Sequence, residues 1–323
     1  ETVMRKNRIY DGKQGAVVIG NKAKATLEDN DIHSNAKVGV YVQGEGTEAV
    51  MRKNRIYDGK EVGVAIGNKA TATLEDNEIH SNVKVGVYVR DEGTEVVVRN
   101  NRIYDGKGDG VLIFDKGKAT LEDNEIHSNV KVGVFVQGEG SEVVMRKNHI
   151  YDGKTHAVVM DKGKATLEDN DIHSNAYAGV RVQGEGSEAV LRKNRIHDGK
   201  EGGVLIMDKG KATLADNDIH SNAKVGVRVQ GEGSKVVMKN SCIHDGKAQG
   251  VAIGNKAKGN LEDNDIHSNV EVGVHVESEG TVVVMRKNHI YDGREGGVAI
   301  GKKATATLED NEIHSNAKVG VQV

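Results

Sequence analysis

Histidine and tyrosine recur at one fixed position of a repeating pattern, and the single cysteine of the chain lies two residues before one of those histidines. The position is occupied in turn by Tyr10, His33, Tyr57, His80, Tyr104, His127, Tyr151, His173, His197, His220, His244 and His267. Zinc binds clusters of histidine and cysteine, so stacked repeats could bring Cys242 and several histidines together. Side chains on parallel strands converge poorly on one point, however, and the repeat itself generates the histidines. We therefore expect a solvated ladder of His and Tyr, with no metal and no cofactor.

Carboxylates could instead supply the paired acids that glycoside hydrolysis requires. Their positions argue against that chemistry, because they alternate with cations from one repeat to the next. One such column reads Arg5, Glu28, Arg52, Glu75, Arg99, Glu122, Arg146, Glu168, Arg192, Ala215, Lys239, Glu262, Arg286 and Glu309. Neighbouring repeats then attract one another, whereas a slip by one repeat places like charges side by side. The pattern predicts a neutral ladder that sets the alignment, and it identifies no catalytic residue.

A third surface is the stretch written GVYV, whose outward position carries apolar and aromatic side chains in the first half of the chain. A contiguous apolar stripe on a protein surface commonly marks a contact site. The predicted partner-binding residues are Tyr41, Tyr88, Leu112, Phe114 and Phe135, with Arg181 and Arg228 at a polar end. We expect a protein partner to bind along this stripe.

These columns require an architecture in which every repeat stacks on the one before it. Aligning the pattern Asn-x-Ile gives 14 units, whose spacing alternates between 24 and 23 residues, with 22 once, so that the larger period is 47. Each unit holds three short β-type stretches separated by turn residues, and none is long enough for a helix. The sequence predicts an all-β, right-handed parallel β-helix of about 14 coils of 22–24 residues. We expect residues 1–323 to form one such domain, as a fragment of a longer chain.

The same alignment predicts which residues point inward and which form the turns. The inward residues are Leu27, Ile32, Val40, Val42, Met51, Ile56, Val64 and Ile66. Asn30 and Asn54 fall at a bend, where stacked amides hydrogen-bond one another and where asparagine tolerates a left-handed backbone. At a second turn Gly59 alternates with Asn35 and Asn82. Because glycine and asparagine accept positive φ, we expect that conformation at these positions.

Composition narrows the range of functions. The 45 basic and 48 acidic residues give a net charge of -3, which excludes a broadly basic nucleic-acid binder. No segment resembles a membrane span or a signal peptide. One cysteine excludes an internal disulfide and fits an intracellular location, in the cytoplasm or the nucleus. We expect neither nucleic acid nor membrane as a partner, and we leave end-to-end association of the coils open.

The two alternating units resemble the β-helix repeats of an F-box-only protein family, a repeat class named after carbohydrate-binding proteins and sugar hydrolases. One unit is seen from Asn170 to Val180 and the other from Arg192 to Val204. The resemblance spans nearly all of residues 1–323 and implies a right-handed β-helix that recruits substrates for a cullin-based ubiquitin ligase. The residues that carry it are architectural, so it transfers no catalytic residue.

The function that these observations predict is a non-enzymatic binding module that recognises a substrate or partner, as the F-box resemblance implies. Two alternatives remain open. In a polysaccharide-binding or polysaccharide-cleaving β-helix, the aromatic side chains would stack on sugar rings along the same sheet. In a structural spacer rod, every surface column would be dispensable.

Overall fold

The protein is built from short parallel strands joined by tight turns. The computed structural model describes residues 1–323 and contains no helix. A helix able to cross a membrane is accordingly absent. The chain divides into two compact units, Glu1–Ala165 and Thr166–Val323. Each unit has three parallel sheets, which we call A, B and C, and every coil contributes one strand to each sheet.

The strands of the first unit follow one another in the order A, B, C along the chain. Sheet A contains Thr2–Arg5, Lys24–Glu28, Glu48–Arg52, Thr71–Glu75, Glu95–Arg99, Lys118–Glu122 and Glu142–Arg146. Sheet B contains Arg8–Tyr10, Asp31–His33, Arg55–Tyr57, Glu78–His80, Arg102–Tyr104, Glu125–His127 and His149–Tyr151. Sheet C contains Gly15–Ile19, Val38–Gln43, Val62–Gly67, Val85–Arg90, Asp109–Phe114, Val134–Gln137 and Val158–Asp161.

The second unit repeats this order, and its first strand begins just before the boundary between the units. Sheet A contains Lys164–Glu168, Glu188–Arg192, Lys211–Ala215, Lys235–Lys239, Lys258–Glu262, Val282–Arg286 and Thr305–Glu309. Sheet B contains Asp171–His173, Arg195–His197, Asp218–His220, Cys242–His244, Asp265–His267, His289–Tyr291 and Glu312–His314. Sheet C contains Ala178–Gln183, Gly202–Met207, Val225–Gln230, Val251–Gly254, Val272–Val276, Gly296–Ile300 and Val319–Gln322. The predicted all-β parallel β-helix of about 14 coils is confirmed, whereas the single domain stays a prediction.

Alternation along each strand decides which side chains enter the core. The eight residues predicted to point inward are all buried, with at most 1% of their surface exposed: Leu27, Ile32, Val40, Val42, Met51, Ile56, Val64 and Ile66. In register, Met51 pairs with Leu27 on one side and Leu74 on the other. Aliphatic side chains therefore pack on their counterparts one strand spacing away, about 4.8 Å. This stacking fills the core without large aromatic rings.

Buried asparagines form a hydrogen-bonded ladder at the bend between sheets A and B. Nδ2 of Asn54 donates to Oδ1 of Asn77 at 2.9 Å and to the backbone oxygen of Leu27 at 2.9 Å. The backbone N–H of Asn54 donates to the same Oδ1 of Asn77 at 3.0 Å. Each amide thus satisfies buried polar groups in the coils before and after it. The predicted asparagine ladder is confirmed.

The left-handed backbone at this bend belongs to the residue before each asparagine. φ is +55° at Asp29 and +53° at Lys53, whereas Asn30 and Asn54 have no positive φ. The prediction of positive φ at the asparagines is therefore wrong. The chain turns one residue earlier because the asparagine itself must already point inward, toward the amide of the next coil.

The second turn shows the same offset and gives glycine a different role. Positive φ falls on Asp58 (+52°) and Ser81 (+57°), not on Gly59 or Asn82. The N–H of Gly59 donates to Oδ1 of Asn82 at 3.1 Å. A Cβ on Gly59 would lie 2.7 Å from that oxygen, closer than real Cβ contacts come. Glycine alternates with asparagine here because the amide of one coil occupies the space that a side chain on the other would need.

Opposite charges on neighbouring coils pair as the sequence predicts. In sheet A, Nε of Arg52 lies 2.9 Å from Oε2 of Glu75, and Nη2 of Arg99 lies 3.0 Å from Oε1 of the same residue. In sheet B, Nε of Arg55 lies 3.2 Å from Oε2 of Glu78. Exposed pairs contribute little stability one by one. Their regular repetition favours one register over a slip by one coil.

The ladder predicts graded effects of substitutions at Asn77. Asn77→Ala leaves the N–H of Asn54 and the backbone oxygen of Met51 without their partners, so the free energy of unfolding should fall by roughly 2–4 kcal/mol. Asn77→Ser should cost less, because Ser241 already serves as an acceptor in the ladder, 3.3 Å from the backbone nitrogen of Asn217. Urea unfolding followed by circular dichroism measures both variants. Equal stability of the two variants would contradict the ladder as a source of stability.

Candidate functional site

The histidines and tyrosines of sheet B stack ring on ring along its outer face. In the first unit the ring centroids of Tyr57 and His80 are 4.9 Å apart, with planes 7° from parallel, and those of His80 and Tyr104 are also 4.9 Å apart. In the second unit His220 and His244 are 5.0 Å apart. The predicted ladder is present in both units. Most of its ring faces cover one another and are closed to a ligand.

Hydrogen bonds and burial fix the protonation of ladder residues in the first unit. Nδ1 of His80 lies 3.0 Å from Oγ of Ser81, while its Nε2 is buried without a hydrogen-bond partner. Burial lowers the pKa of His80 and likewise that of His127. The hydroxyl of Tyr104 donates to Oε1 of Glu78 at 2.5 Å. Burial and this bond raise the pKa of Tyr104 to about 12. The rings of His80, His127 and Tyr104 are therefore neutral at neutral pH.

One part of the ladder in the second unit combines different donor atoms. Two groups of three residues bring their metal-binding atoms within 4.8 Å of one another. The first group is Asp218, Cys242 and His244, and the second is Cys242, Asp265 and His267. The expectation that side chains on parallel strands fail to converge is therefore wrong at this position. Cysteine and aspartate occupy one outward column, and histidine occupies the next. The longer histidine side chain can therefore bring a ring nitrogen close to the thiol and carboxylate of the neighbouring column.

The aromatic stripe of sheet C lies where the sequence predicts, but its side chains are partly covered. Tyr41, Tyr88 and Leu112 pack around a small buried cluster that includes Ala65. Phe135 pairs in register with Leu112 and is half-buried. Phe114 lies at the next outward position, with 37% of its surface exposed. The structure thus groups these five residues on one face of the first unit.

Three arginines lie on sheet C, and the sequence predicts a binding role for two of them. Arg90 was not predicted, yet its Nη2 donates to the hydroxyl of Tyr41 at 3.1 Å and its guanidinium lies 5.8 Å from the ring centre of Tyr88. Arg181 and Arg228 lie in the second unit, where both pair with Leu205 and are half-buried. A role for these residues in binding stays a prediction.

An open groove runs along sheet A of the first unit, and the sequence analysis did not identify it. It has a volume of about 470 Å³ and crosses five consecutive strands, from Glu48–Arg52 to Glu142–Arg146. Its floor is the outward column of alternating valine and threonine: Val50, Thr73, Val97, Thr120 and Val144. Longer charged side chains stand in the outward columns beside it, including Lys118 and Glu142. The groove exists because one column of short side chains lies beside columns of long ones.

Glu95 is the carboxylate in this groove that lacks a cationic partner. Along its column the other acids pair with lysine, Glu48 with Lys24 at 3.1 Å and Glu142 with Lys118 at 3.2 Å. In register, Glu95 lies between Lys118, which is turned to Glu142, and Thr71. Threonine replaces the lysine that the repeat places here in five of the seven equivalent coils, Thr305 being the other exception. That substitution is the sequence signal that could have identified Glu95.

Comparison with known proteins identifies the family and similar folds. Residues 1–150 and 133–284 match the model described as the right handed beta helix region. The chain belongs to that right-handed β-helix family. The predicted handedness is thereby confirmed. No curated protein matches the sequence.

Solved structures with a similar fold include two kinds of epimerase and a tailspike. The A-module of the mannuronan C-5 epimerase AlgE6 of Azotobacter vinelandii is 19% identical, with a TM-score of 0.64 over 97% of this chain and 90% of that one. The periplasmic alginate epimerase AlgG is 11% identical, with a TM-score of 0.59 over 95% of this chain and 78% of that one. The Dettilon tailspike protein is 12% identical, with a TM-score of 0.51 over 99% of this chain and 61% of that one. At these identities the likeness shows the shared β-helix fold.

The functional prediction requires correction. The expected non-enzymatic module that recruits a protein in the manner of an F-box adaptor is wrong, because the matching family model is that of the β-helix and the similar structures include alginate and mannuronan epimerases. The resemblance misled because it rested on asparagine, glycine and isoleucine, which this β-helix uses in its ladders and core. Such residues identify an architecture and say nothing about an active site.

His80 and His127, two of the four histidines whose pKa values are lowered, predict how stability changes with pH. Below about pH 6.5, His80 and His127 bind protons more readily in the unfolded chain than in the folded protein. The free energy of unfolding should therefore fall as the pH is lowered. Glu78 and Glu125 also have lowered pKa values and therefore titrate in a more acidic range. The double variant His80→Phe/His127→Phe keeps both rings but removes the titration. Its melting temperature should fall less than that of the unaltered protein between about pH 7 and about pH 5.

Melting curves in the same buffers at about pH 8 provide the baseline, since neutral histidines contribute no pH dependence there. Parallel loss of stability in both proteins below that pH would contradict this assignment.

Proposed function

We propose that this chain is a polysaccharide-active β-helix that binds a glycan along the sheet A groove of the first unit. The observation that carries the proposal is the unpaired carboxylate of Glu95 within an extended groove. The alginate and mannuronan epimerases named above share the fold, which makes a polysaccharide a reasonable ligand class. The groove and its residues supply the specific argument.

The shape of the groove suits a linear chain of sugars. Five strands at about 4.8 Å spacing give a length of about 19 Å, enough for several sugar rings in a row. Methyl groups of Val50 and Val97 offer apolar contacts to ring faces, and the hydroxyls of Thr73 and Thr120 can donate to and accept from sugar hydroxyls. An apolar floor with a few polar groups is the usual composition of a ligand site.

Glu95 is the residue best placed to exchange a proton with a bound glycan. A carboxyl group that makes no ion pair can act as a general acid or base when a reacting oxygen comes within hydrogen-bond distance. The next carboxylates in its column, Glu48 and Glu142, lie two strands away, at about 9.6 Å by strand spacing. Inverting glycoside hydrolases place their two carboxylates about 6.5–9.5 Å apart, and retaining ones about 5–5.5 Å. The strand spacing lies just outside the inverting range, and lysines hold both of those acids, so Glu95 acts in its column as a single proton donor or acceptor.

The charge of the groove also bears on the ligand. Glu48 and Glu142 are compensated by lysines, so Glu95 contributes the uncompensated charge of its column. A negative charge repels a polyanion at close range. We therefore expect neutral glycans to bind more tightly than polyuronates.

The aromatic stripe of sheet C is the alternative location on the same unit, since Tyr88 and Phe135 could stack on sugar rings. Two observations weigh against it. Tyr88 packs against the buried cluster, and the guanidinium of Arg90 lies over its ring. The stripe therefore offers less free ring surface than its composition predicts.

Two sets of variants test the proposal on a panel of neutral glucans, xylan, galactomannan and polyuronates. Thr73→Trp should fill the groove and lower glycan affinity at least about tenfold, because its side chain points to solvent and leaves the core intact. Tyr88→Ala/Phe135→Ala should bind as the unaltered protein does. Calorimetry and glycan-induced thermal stabilisation provide the affinities. Loss of affinity in Tyr88→Ala/Phe135→Ala but not in Thr73→Trp would place the site on sheet C. Absence of binding to every glycan of the panel would overturn the proposal.

Glu95→Gln should keep glycan affinity within a few-fold and lower turnover at least about 100-fold, as expected for loss of proton transfer. Product formation is followed as new reducing ends and, for uronates, as epimers or unsaturated ends. Glu92→Gln is the matched control, since Glu92 pairs with Lys116 at 2.8 Å in a turn outside the groove. Equal loss in both variants would exclude a special role for Glu95.

A further inference from the structure

The single thiol of the chain occupies a position that the repeat gives to cations or acids. In sheet B the strands Asp218–His220, Cys242–His244 and Asp265–His267 lie side by side in register. Cys242 therefore stands between two aspartates. Its counterparts two coils away are Arg195 and His289, each facing acids in the same way. Cysteine has replaced the cation of the ladder, and a positive charge is missing between Asp218 and Asp265.

Asp218 has Arg195 as its other neighbour in register, but Nε of Arg195 donates to Nε2 of His220 at 3.2 Å. Oδ1 of Asp218 lies 3.0 Å from Nε2 of His244. Oδ1 of Asp265 lies 3.7 Å from Nδ1 of His289 and is buried without a hydrogen-bond partner. The first unit shows the contrast, because there Arg102 binds Glu125 at 3.0 Å in the same column. The acids around Cys242 thus have room for a cation.

The donor atoms have the separation that a metal ion requires. Sγ of Cys242 lies 3.5 Å from Nε2 of His267, and a ligand oxygen of Asp265 lies within 4.8 Å of both atoms. A tetrahedral zinc ion with bonds of about 2.3 Å to sulfur and about 2.0 Å to nitrogen places those two atoms about 3.5 Å apart. The observed distance needs no rearrangement of the strands.

The histidine is also oriented for metal binding. Nδ1 of His267 lies 3.1 Å from Oγ of Ser268, which leaves Nε2 directed at the thiol. Such a bond on the far nitrogen commonly orients metal-bound histidines. Asp218 and Asp265, on either side of the thiol, favour a cation at this position.

We propose that Cys242, Asp265 and His267 bind one zinc ion, with a fourth position open to solvent. Thiolate, imidazole and carboxylate are the ordinary protein ligands of zinc, and three such ligands with an open position suit an ion that binds a further molecule. The site lies on sheet B of the second unit. It is independent of the glycan groove on sheet A of the first.

Zinc titration in competition with a chromophoric chelator tests the site on the full chain. We expect one zinc per chain, and a loss of affinity in Cys242→Ser and in His267→Ala that exceeds the roughly 10- to 100-fold effect of losing an outer-shell group. His197→Ala should bind as the unaltered protein does, because that histidine stacks in the same ladder beside Arg195 and has no thiol near it. Unchanged affinity in Cys242→Ser would overturn the proposal. Loss in His244→Ala but not in His267→Ala would overturn the assigned donor set.

Two further measurements separate metal binding from damage to the fold. Cys242→Arg restores the alternating cation of the ladder, so it should fold stably, as judged by its melting temperature, and bind no zinc. Cobalt added to the unaltered protein should give the charge-transfer absorption of a thiolate ligand, and Cys242→Ser should not. Cobalt binding without that band would show that the thiol is not a ligand.

Discussion

The hydrogen bond from one buried asparagine amide to the next is the constraint on which the other surfaces of this protein depend. At the bend between sheets A and B, each amide accepts from the coil before it and donates to the coil after it, at distances near 2.9 Å. A slip of one residue would bury several unpaired polar groups at once, and each would cost free energy. The coils of each unit are therefore held in succession, and every outward position becomes a column of side chains.

Once the columns are fixed, side-chain length and charge determine the surface. Valine and threonine between longer charged residues produce the groove of sheet A, and rings at equal heights produce the closed ladder of sheet B. The regular pattern neutralises itself, because each acid meets a base on the next coil. Chemistry becomes available where one residue departs from that pattern. Thr71 leaves Glu95 without a lysine, and Cys242 leaves Asp218 and Asp265 without an arginine between them.

Because the fold depends on residues that recur in each coil, the sequence predicts the repeated features better than the irregular ones. Periodicity identified the β-helix, the core positions such as Leu27 and Met51, and the asparagine ladder, because each repeats in nearly every coil. The turn conformations were misplaced by one residue, since Asp58 and Ser81 carry positive φ for geometric reasons that residue preferences do not show. The groove was missed because it depends on the relative heights of neighbouring side chains. The apolar stripe was found, but packing against Ala65 and contacts with Arg90 cover part of it.

A uniform surface also limits how a ligand can be recognised. Along a perfectly repeated groove, a glycan could slide by one double coil and make the same contacts, so affinity would be spread over many equivalent registers. The pair of Thr71 and Glu95 removes that equivalence, because the coils on either side present lysine and glutamate instead. A ligand group that bonds to the free carboxylate is held in one register, and the same contact places its reacting atom beside a proton donor or acceptor. In a repeat protein, a single exchanged residue can therefore supply both the position and the chemistry of a site.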